Sequence, residues 1–169
     1  MKDILVSIRP KWVEKICHEI GKAENGKPIY EKAIEVRKGR PSEVPFRGLI
    51  YATKPKKWYK CGPLLISDES LWLADGKVEM CDGLKFWADG VDNYHCLNGK
   101  VIGEFICRGI MQPFESLRLM AKESCLTEEE LLTYSNCKPL YGWHISDLKI
   151  YDKPKELSEF YVHKKVKGC

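Results

Sequence analysis

The stretch Ile4-Leu5-Val6-Ser7-Ile8-Arg9-Pro10 decides how the chain is read. Asp3 to Ile8 is short and rich in β-branched residues, which predicts a strand. Pro10 then suits the first position of a helix, where its missing N–H costs nothing. Trp12, Val13, Ile16 and Ile20 follow at helical spacing, with Lys11, Glu14, Lys15 and Glu19 on the other side. That pattern predicts an amphipathic helix laid on a core, stopped by Gly21.

Working outward, 22–28 is polar, and Asn25-Gly26 marks a turn. Ala33 to Arg37 reads as a strand, with Ile34 and Val36 on one face and Glu35 and Arg37 on the other. Lys38-Gly39-Arg40-Pro41 ends it. Gly48 to Thr53 is a second, buried strand. Val101 to Met111 is a long strand, with Gly103 and Gly109 as bulge points. Phe114 to Lys122 is expected to be helical. Thr127 with Glu130 three residues on makes a capping box, and Leu126 against Leu131 makes the matching staple of a helix that runs to about Tyr134. In the closing strand, Gly142 to Tyr151, Trp143 and Ile145 fall out of phase with Leu148 and Ile150. A bulge near Ser146-Asp147 restores a single inward face. A helical turn over Lys155 to Phe160 and a short edge strand bearing His163, Lys164 and Lys165 are expected in the tail. Strands separated by unequal helices, without regular βαβ alternation, predict an α+β fold with a mostly antiparallel, partly closed sheet.

The 169 residues fit one domain, 1–169, with an insertion at about 54–98. The insertion is expected to form hairpins and loops with an aromatic cluster of its own from Trp58, Trp72, Trp87 and Tyr94. It also carries Lys54-Pro55-Lys56-Lys57-Trp58-Tyr59-Lys60, a mixture of cations and aromatics that suits stacking and phosphate contact on a single strand. No apolar run approaches the length of a membrane span, and the first residues lack the pattern of a signal peptide. A cytoplasmic protein is expected, so the eight cysteines read as reduced thiols rather than a disulfide framework. His95, Cys61, Cys81 and Cys96 lack the spacing of a zinc module, so no metal is expected. The formal charge of +4 is weaker than the excess a dedicated duplex binder carries. No glycine-rich phosphate loop of the ATP or NAD type is present, and no cofactor is expected.

The order of these motifs resembles the opening and closing of ASCH domains, in the PUA-like superfamily. The resemblance rests on Ile4 to Pro10 followed by a helix, and on Glu31-Lys32-Ala33-Ile34-Glu35-Val36-Arg37-Lys38. Gly48 to Thr53, Val101-Ile102-Gly103-Glu104-Phe105 and Tyr141-Gly142-Trp143-His144-Ile145-Ser146-Asp147 extend it; only 54–98 lies outside. The resemblance implies a PUA-like mixed β-barrel with flanking helices and a basic cleft beside the first helix. It also implies RNA or a nucleotide-like ligand as partner. Some small bacterial members deacetylate N4-acetylcytidine, and a nuclease role is proposed for others. The amidohydrolase members use a Lys, a Thr three residues later and a distant Glu. Here Lys32 matches the Lys, Glu35 stands in place of the Thr, and Glu123 falls near the acid.

These considerations select candidate residues. Lys32, Glu35 and Glu123 are the candidates for catalysis. Ser7, Arg9, Lys32, Glu35, Arg37, Lys38, Tyr51, Thr53 and Glu104 are the candidates for ligand or nucleic-acid binding. Arg37 offers a planar fork for phosphate or a base edge. Lys32 serves as a phosphate contact or, desolvated, as a base or nucleophile. The simplest alternative pairs Glu35 with Arg37 as an exposed ion pair without function. Three readings follow: an RNA- or nucleotide-binding module, an amidohydrolase or ribonuclease centred on Lys32, and a protein-interaction module built on Trp58, Trp72 and Trp87. The sequence leaves the oligomeric state open.

Overall fold

A computed structural model describes residues 1–113 and 115–160, with backbone alone at 64–66. Phe114, His163, Lys164, Lys165 and Cys169 therefore lie outside the described residues, and with them the expected edge strand of the tail. The chain runs β1 (Lys2–Ile8), α1 (Pro10–Cys17), β2 (Glu19–Lys22), β3 (Pro28–Tyr30), β4 (Ile34–Arg37) and β5 (Phe46–Ala52). Then follow β6 (Tyr59–Cys61), β7 (Leu64–Ile66), β8 (Leu71–Ala74), β9 (Lys77–Met80), α2 (Leu84–Ala88) and β10 (Tyr94–Cys96). The last part holds β11 (Lys100–Cys107), β12 (Ile110–Met111), α3 (Leu117–Ser124), α4 (Glu128–Ser135), β13 (Tyr141–His144), β14 (Ser146–Lys155) and a 3-10 turn at Leu157–Glu159.

The architecture is mixed α+β. The main sheet has the order β1-β5-β11-β14. β1 and β5 pair in parallel, and the other neighbours pair antiparallel. A second sheet, β12-β13-β4, carries the strand of Glu35 and Arg37. Among the described residues the hydrogen-bonded ladders form open sheets and do not close into one barrel.

The break predicted in the closing strand does more than flip a face. At Ile145 the chain leaves the β4 sheet, and from Ser146 it joins the β11 sheet. Asp147 takes a positive φ of 49° at this transfer. Gly103 marks a register shift in β11, as expected of a bulge glycine. The stretch 101–111 is two strands, because Arg108 and Gly109 break it and β12 turns to pair with β13.

Helix α1 is shorter than its apolar spacing predicts. It ends at Cys17, and Ile20 is exposed on β2, one arm of a hairpin turned at Asn25-Gly26. The main core joins Val6, Ile8, Val13, Ile16, Phe46, Ile50 and Phe105 to Leu71, Leu73 and Leu97. The segment 54–98 thus feeds the same core as the strands around it. Its aromatic cluster is Trp72, Phe86 and Tyr94 with centroids 5.5–6.3 Å apart. Trp58 and Trp87 stand outside it, 42% and 76% exposed. The cluster selects Phe86 because α2 buries that one residue and turns Trp87 outward.

Candidate functional site

The cleft is built where β1 hands over to α1. Pro10 holds the first helical position, and the carbonyl of Arg9 accepts the first helical bonds from the N–H groups of Trp12 and Val13. Beside it runs β4, tied to α1 by the bond from the Lys32 N–H to the Lys15 carbonyl (3.1 Å). The Ala33 N–H reaches the carbonyl of Glu123 on α3 (2.8 Å). Helix α4 closes one wall. Its capping box is formed in both directions between Thr127 and Glu130, and Leu126 packs with the cluster of Leu131.

Lys32 is 2% exposed, which an ammonium tolerates only with partners. It has three kinds. Its Nζ donates to the carbonyl of Ser124 at 2.7 Å, at the C-terminal end of α3, where the helix dipole favours a cation. It lies 3.5 Å from Glu35 Oε2. It also stands 5.3 Å from the centre of the Trp12 ring. Burial lowers its pKa, while Glu35 works in the opposite direction. Glu35 in turn receives Arg37 Nη2 at 3.0 Å, and the same nitrogen donates to the carbonyl of Ser7 at 2.8 Å. The Glu35–Arg37 pair is therefore one link of a partly buried Lys32–Glu35–Arg37 chain, not the solvated surface pair of the simplest reading. Arg37 Nε is buried and has no hydrogen-bond partner among the described residues.

The cleft has a volume of about 810 Å³, the scale of sites that take small organic ligands. Ile8, Pro10, Trp12, Val36, Leu126 and Tyr134 give it apolar walls. Its charges are Arg9, Lys11, Lys32 and Arg37 against Glu35, Glu69, Glu129 and Glu130. Four cations face four carboxylates, so the cleft is balanced in charge and not basic as expected. Glu69 comes from the segment 54–98. It accepts from the Lys56 backbone N–H at 3.0 Å and pairs with Arg9 at 3.2 Å. That backbone bond, with the Arg9 charge behind it, holds its carboxyl below the usual range.

Of the residues singled out by sequence, Ser7, Arg9, Lys32, Glu35 and Arg37 meet in the cleft. Lys38 stands at its rim, 4.8 Å over the ring of Tyr134. Others are elsewhere. Glu104 accepts from the Tyr151 hydroxyl at 2.8 Å and lies 3.8 Å from Arg47. Tyr51 packs against Leu49, Val101 and Tyr151. Thr53 donates its backbone N–H to Ile8 and accepts from Asn98 through its carbonyl. Glu123 is not among the lining residues; it offers its backbone to Ala33, and its buried Oε2 has no partner among the described residues. Lys32 and Glu35 are thus brought together in the cleft without Glu123, the third candidate for catalysis.

Sequence reading missed Trp12 as a cleft wall, because its spacing with Val13 and Ile16 marks it as core. It also missed Glu69, Thr133 and Tyr134. The last two lie three and four residues past Glu130, so the capping box carried a signal for which face of α4 turns inward.

Among the described residues no group of three or more His, Cys, Asp or Glu side chains is placed to hold a metal ion. No helix there is long and apolar enough to cross a membrane. No family model matches the sequence, and no curated protein matches it either. Solved structures do. The ASCH protein of Zymomonas mobilis aligns with a TM-score of 0.54 at 16% identity, over 97% of this chain and 82% of that one. A Tyr-to-Phe variant of that protein aligns at the same score and identity over 98% and 85%. A Ser-to-Ala variant gives the same score over 97% and 82%. The elements that carry the cleft are therefore parts of an ASCH-like fold.

Proposed function

We propose that the cleft between α1, β4 and α4 binds a nucleotide unit of RNA or a nucleotide-like ligand. The observation that carries the reading is Arg37. Glu35 and the Ser7 carbonyl hold one nitrogen of its guanidinium, its Nε–H lacks an acceptor among the described residues, and it lines a cavity walled by Trp12 and Tyr134. A base is a planar, partly apolar group with acceptors at its edge, and a phosphate supplies the anion that the fork pairs with. The ASCH-like fold and the motif resemblance support the same reading. The four carboxylates argue against a polyanion lying along the cleft, and for one nucleotide entering it.

Titration with nucleotides and short oligoribonucleotides tests this. Arg37→Ala is expected to weaken binding about tenfold or more, the loss of a charge-assisted hydrogen bond. Mononucleotide affinity should fall only shallowly between about 50 and about 200 mM salt, because a single phosphate group is neutralised. Binding that ignores Arg37→Ala removes the reading.

A second reading has one observation in its favour: an amine kept nearly dry, with a lowered pKa, beside a carboxylate in a ligand-sized cleft. That is the setting of a lysine base or nucleophile. Incubation with N4-acetylcytidine decides it. Turnover that disappears in Lys32→Ala supports hydrolysis, and turnover absent or unchanged in that variant discards it.

A further inference from the structure

The segment 54–98 carries a run of exposed cations and aromatic rings that begins beside the cleft residue Glu69. Pro55 is buried and anchors the start of the loop, while every residue from Lys56 to Lys60 is exposed. Trp58 is 42% and Tyr59 53% exposed. Two aromatic rings open to water are a cost that folding alone does not explain, and three lysines interleave with them over five residues. No acidic residue interrupts the run. Tyr59 and Lys60 lie on β6, held in a hairpin with β7, so the tract has a defined backbone.

The second observation is the join. Glu69 lines the cleft, pairs with Arg9 at the end of β1, and accepts from the backbone N–H of Lys56 at 3.0 Å. One carboxylate thus pins the first residue of the cationic-aromatic tract to the cleft wall. Glu69 thus links Arg9 in the cleft to Lys56, from which the chain runs on to the two rings.

We propose that Lys56 to Lys60 is the outer track of one binding surface, which takes single-stranded RNA with one nucleotide seated in the cleft and its neighbours stacked on Trp58 and Tyr59. The proposal rests on the nucleotide reading of the cleft and names its substrate class. Exposed rings take unpaired bases of any identity, since every base has a π-face, and interleaved lysines follow the backbone. A duplex hides its base faces and offers the rings nothing. The track also supplies the positive charge that the balanced cleft lacks.

The test compares three probes on the full chain: cytidine monophosphate, a single-stranded oligoribonucleotide of about ten residues, and its duplex. The single strand is expected to bind tightest. Trp58→Ala with Tyr59→Ala is expected to weaken the single strand roughly tenfold or more and to leave the monophosphate unchanged. Lys57→Gln with Lys60→Gln, which keeps the rings, is expected to reduce the salt slope of single-strand binding by about 1.4, near 0.7 per lysine. A single strand indifferent to both pairs of substitutions overturns the track and leaves the cleft standing, provided Arg37→Ala still weakens the monophosphate. A duplex that binds as tightly as the single strand also overturns it. If neither the monophosphate nor the single strand binds the unaltered chain, cleft and track fail together.

Discussion

At the scale of the residue, Lys32 is the unusual feature of this molecule. A fully buried lysine is costly, and here the cost is offset by the Ser124 carbonyl and by Glu35. Removing one partner strands the other. Glu35→Ala is expected to cost about 3 kcal/mol or more in urea unfolding, the penalty of an uncompensated buried charge. The pH dependence has a definite sign. Burial lowers the folded-state pKa of Lys32 below the ordinary lysine value of 10.5. Between the two values the unfolded chain binds more protons than the folded one, so Lys32 makes stability rise with pH up to about 10.5. The neighbouring Lys15, raised mainly by its bond to Glu31, acts with the opposite sign. Lys32→Met isolates the first effect: unfolding measured against pH up to about 10 should lose the rise that the parent shows. Thiols divide by the same logic. Burial pushes Cys17 up to about 12, whereas Cys61 and Cys137 are exposed. Peptide mapping after brief alkylation near neutral pH should find Cys61 and Cys137 modified well before Cys17.

At the scale of the element, one local device holds a cleft wall and another shapes the main sheet. The capping box of α4 fixes the start of the helix that carries Glu129, Glu130, Thr133 and Tyr134. Thr127→Ala is expected to cost about 1 kcal/mol and to loosen that wall, seen as weaker ligand binding at constant fold. The bulge at Gly103 matters in a different way. A Cβ there would meet the Lys149 backbone oxygen at 2.5 Å, an atom of the paired strand that has no side-chain freedom to yield. Gly103→Ala should therefore destabilise the main sheet by about 1–3 kcal/mol, measured by denaturant midpoint. Both devices are local in sequence. Their neighbours across the fold decide what they are for.

At the scale of the whole molecule, the segment 54–98 is tied in and not merely appended. Asn98 accepts from the Leu71 N–H at 2.8 Å and donates to the carbonyls of Thr53 and Glu69 at 3.1 and 2.9 Å. It is buried and joins both ends of the segment through one amide. Asn98→Ala leaves three backbone groups without partners, and a loss of about 2–3 kcal/mol in thermal or chemical unfolding is expected. Leu71, Leu73 and Leu97 also complete the core around Phe46. Removal of the whole segment should therefore abolish cooperative unfolding instead of giving a trimmed, folded domain. The exposed tract near Trp58 can be altered without touching this frame.

Sequence alone carried the local rules. The strand into Pro10, the turn at Asn25-Gly26, the alternation of Ile34 and Val36, the Thr127 capping box and the break near Ser146 depend on neighbours within a few residues. It also brought Ser7, Arg9, Lys32, Glu35 and Arg37 forward as candidates, through a motif whose residues lie on β1, β4 and the turns beside them. Charge balance and membership of the cleft were decided elsewhere. Glu69 reaches Arg9 across 60 residues, and Ser124 reaches Lys32 across 92. Tyr51, Thr53 and Glu104 carried equally good local chemistry and were turned to other surfaces by the sheet they occupy. Period and propensity report which face of an element is apolar. Which polar faces meet depends on how sheets cross and where the chain changes sheet, and that is settled by packing between residues far apart in sequence.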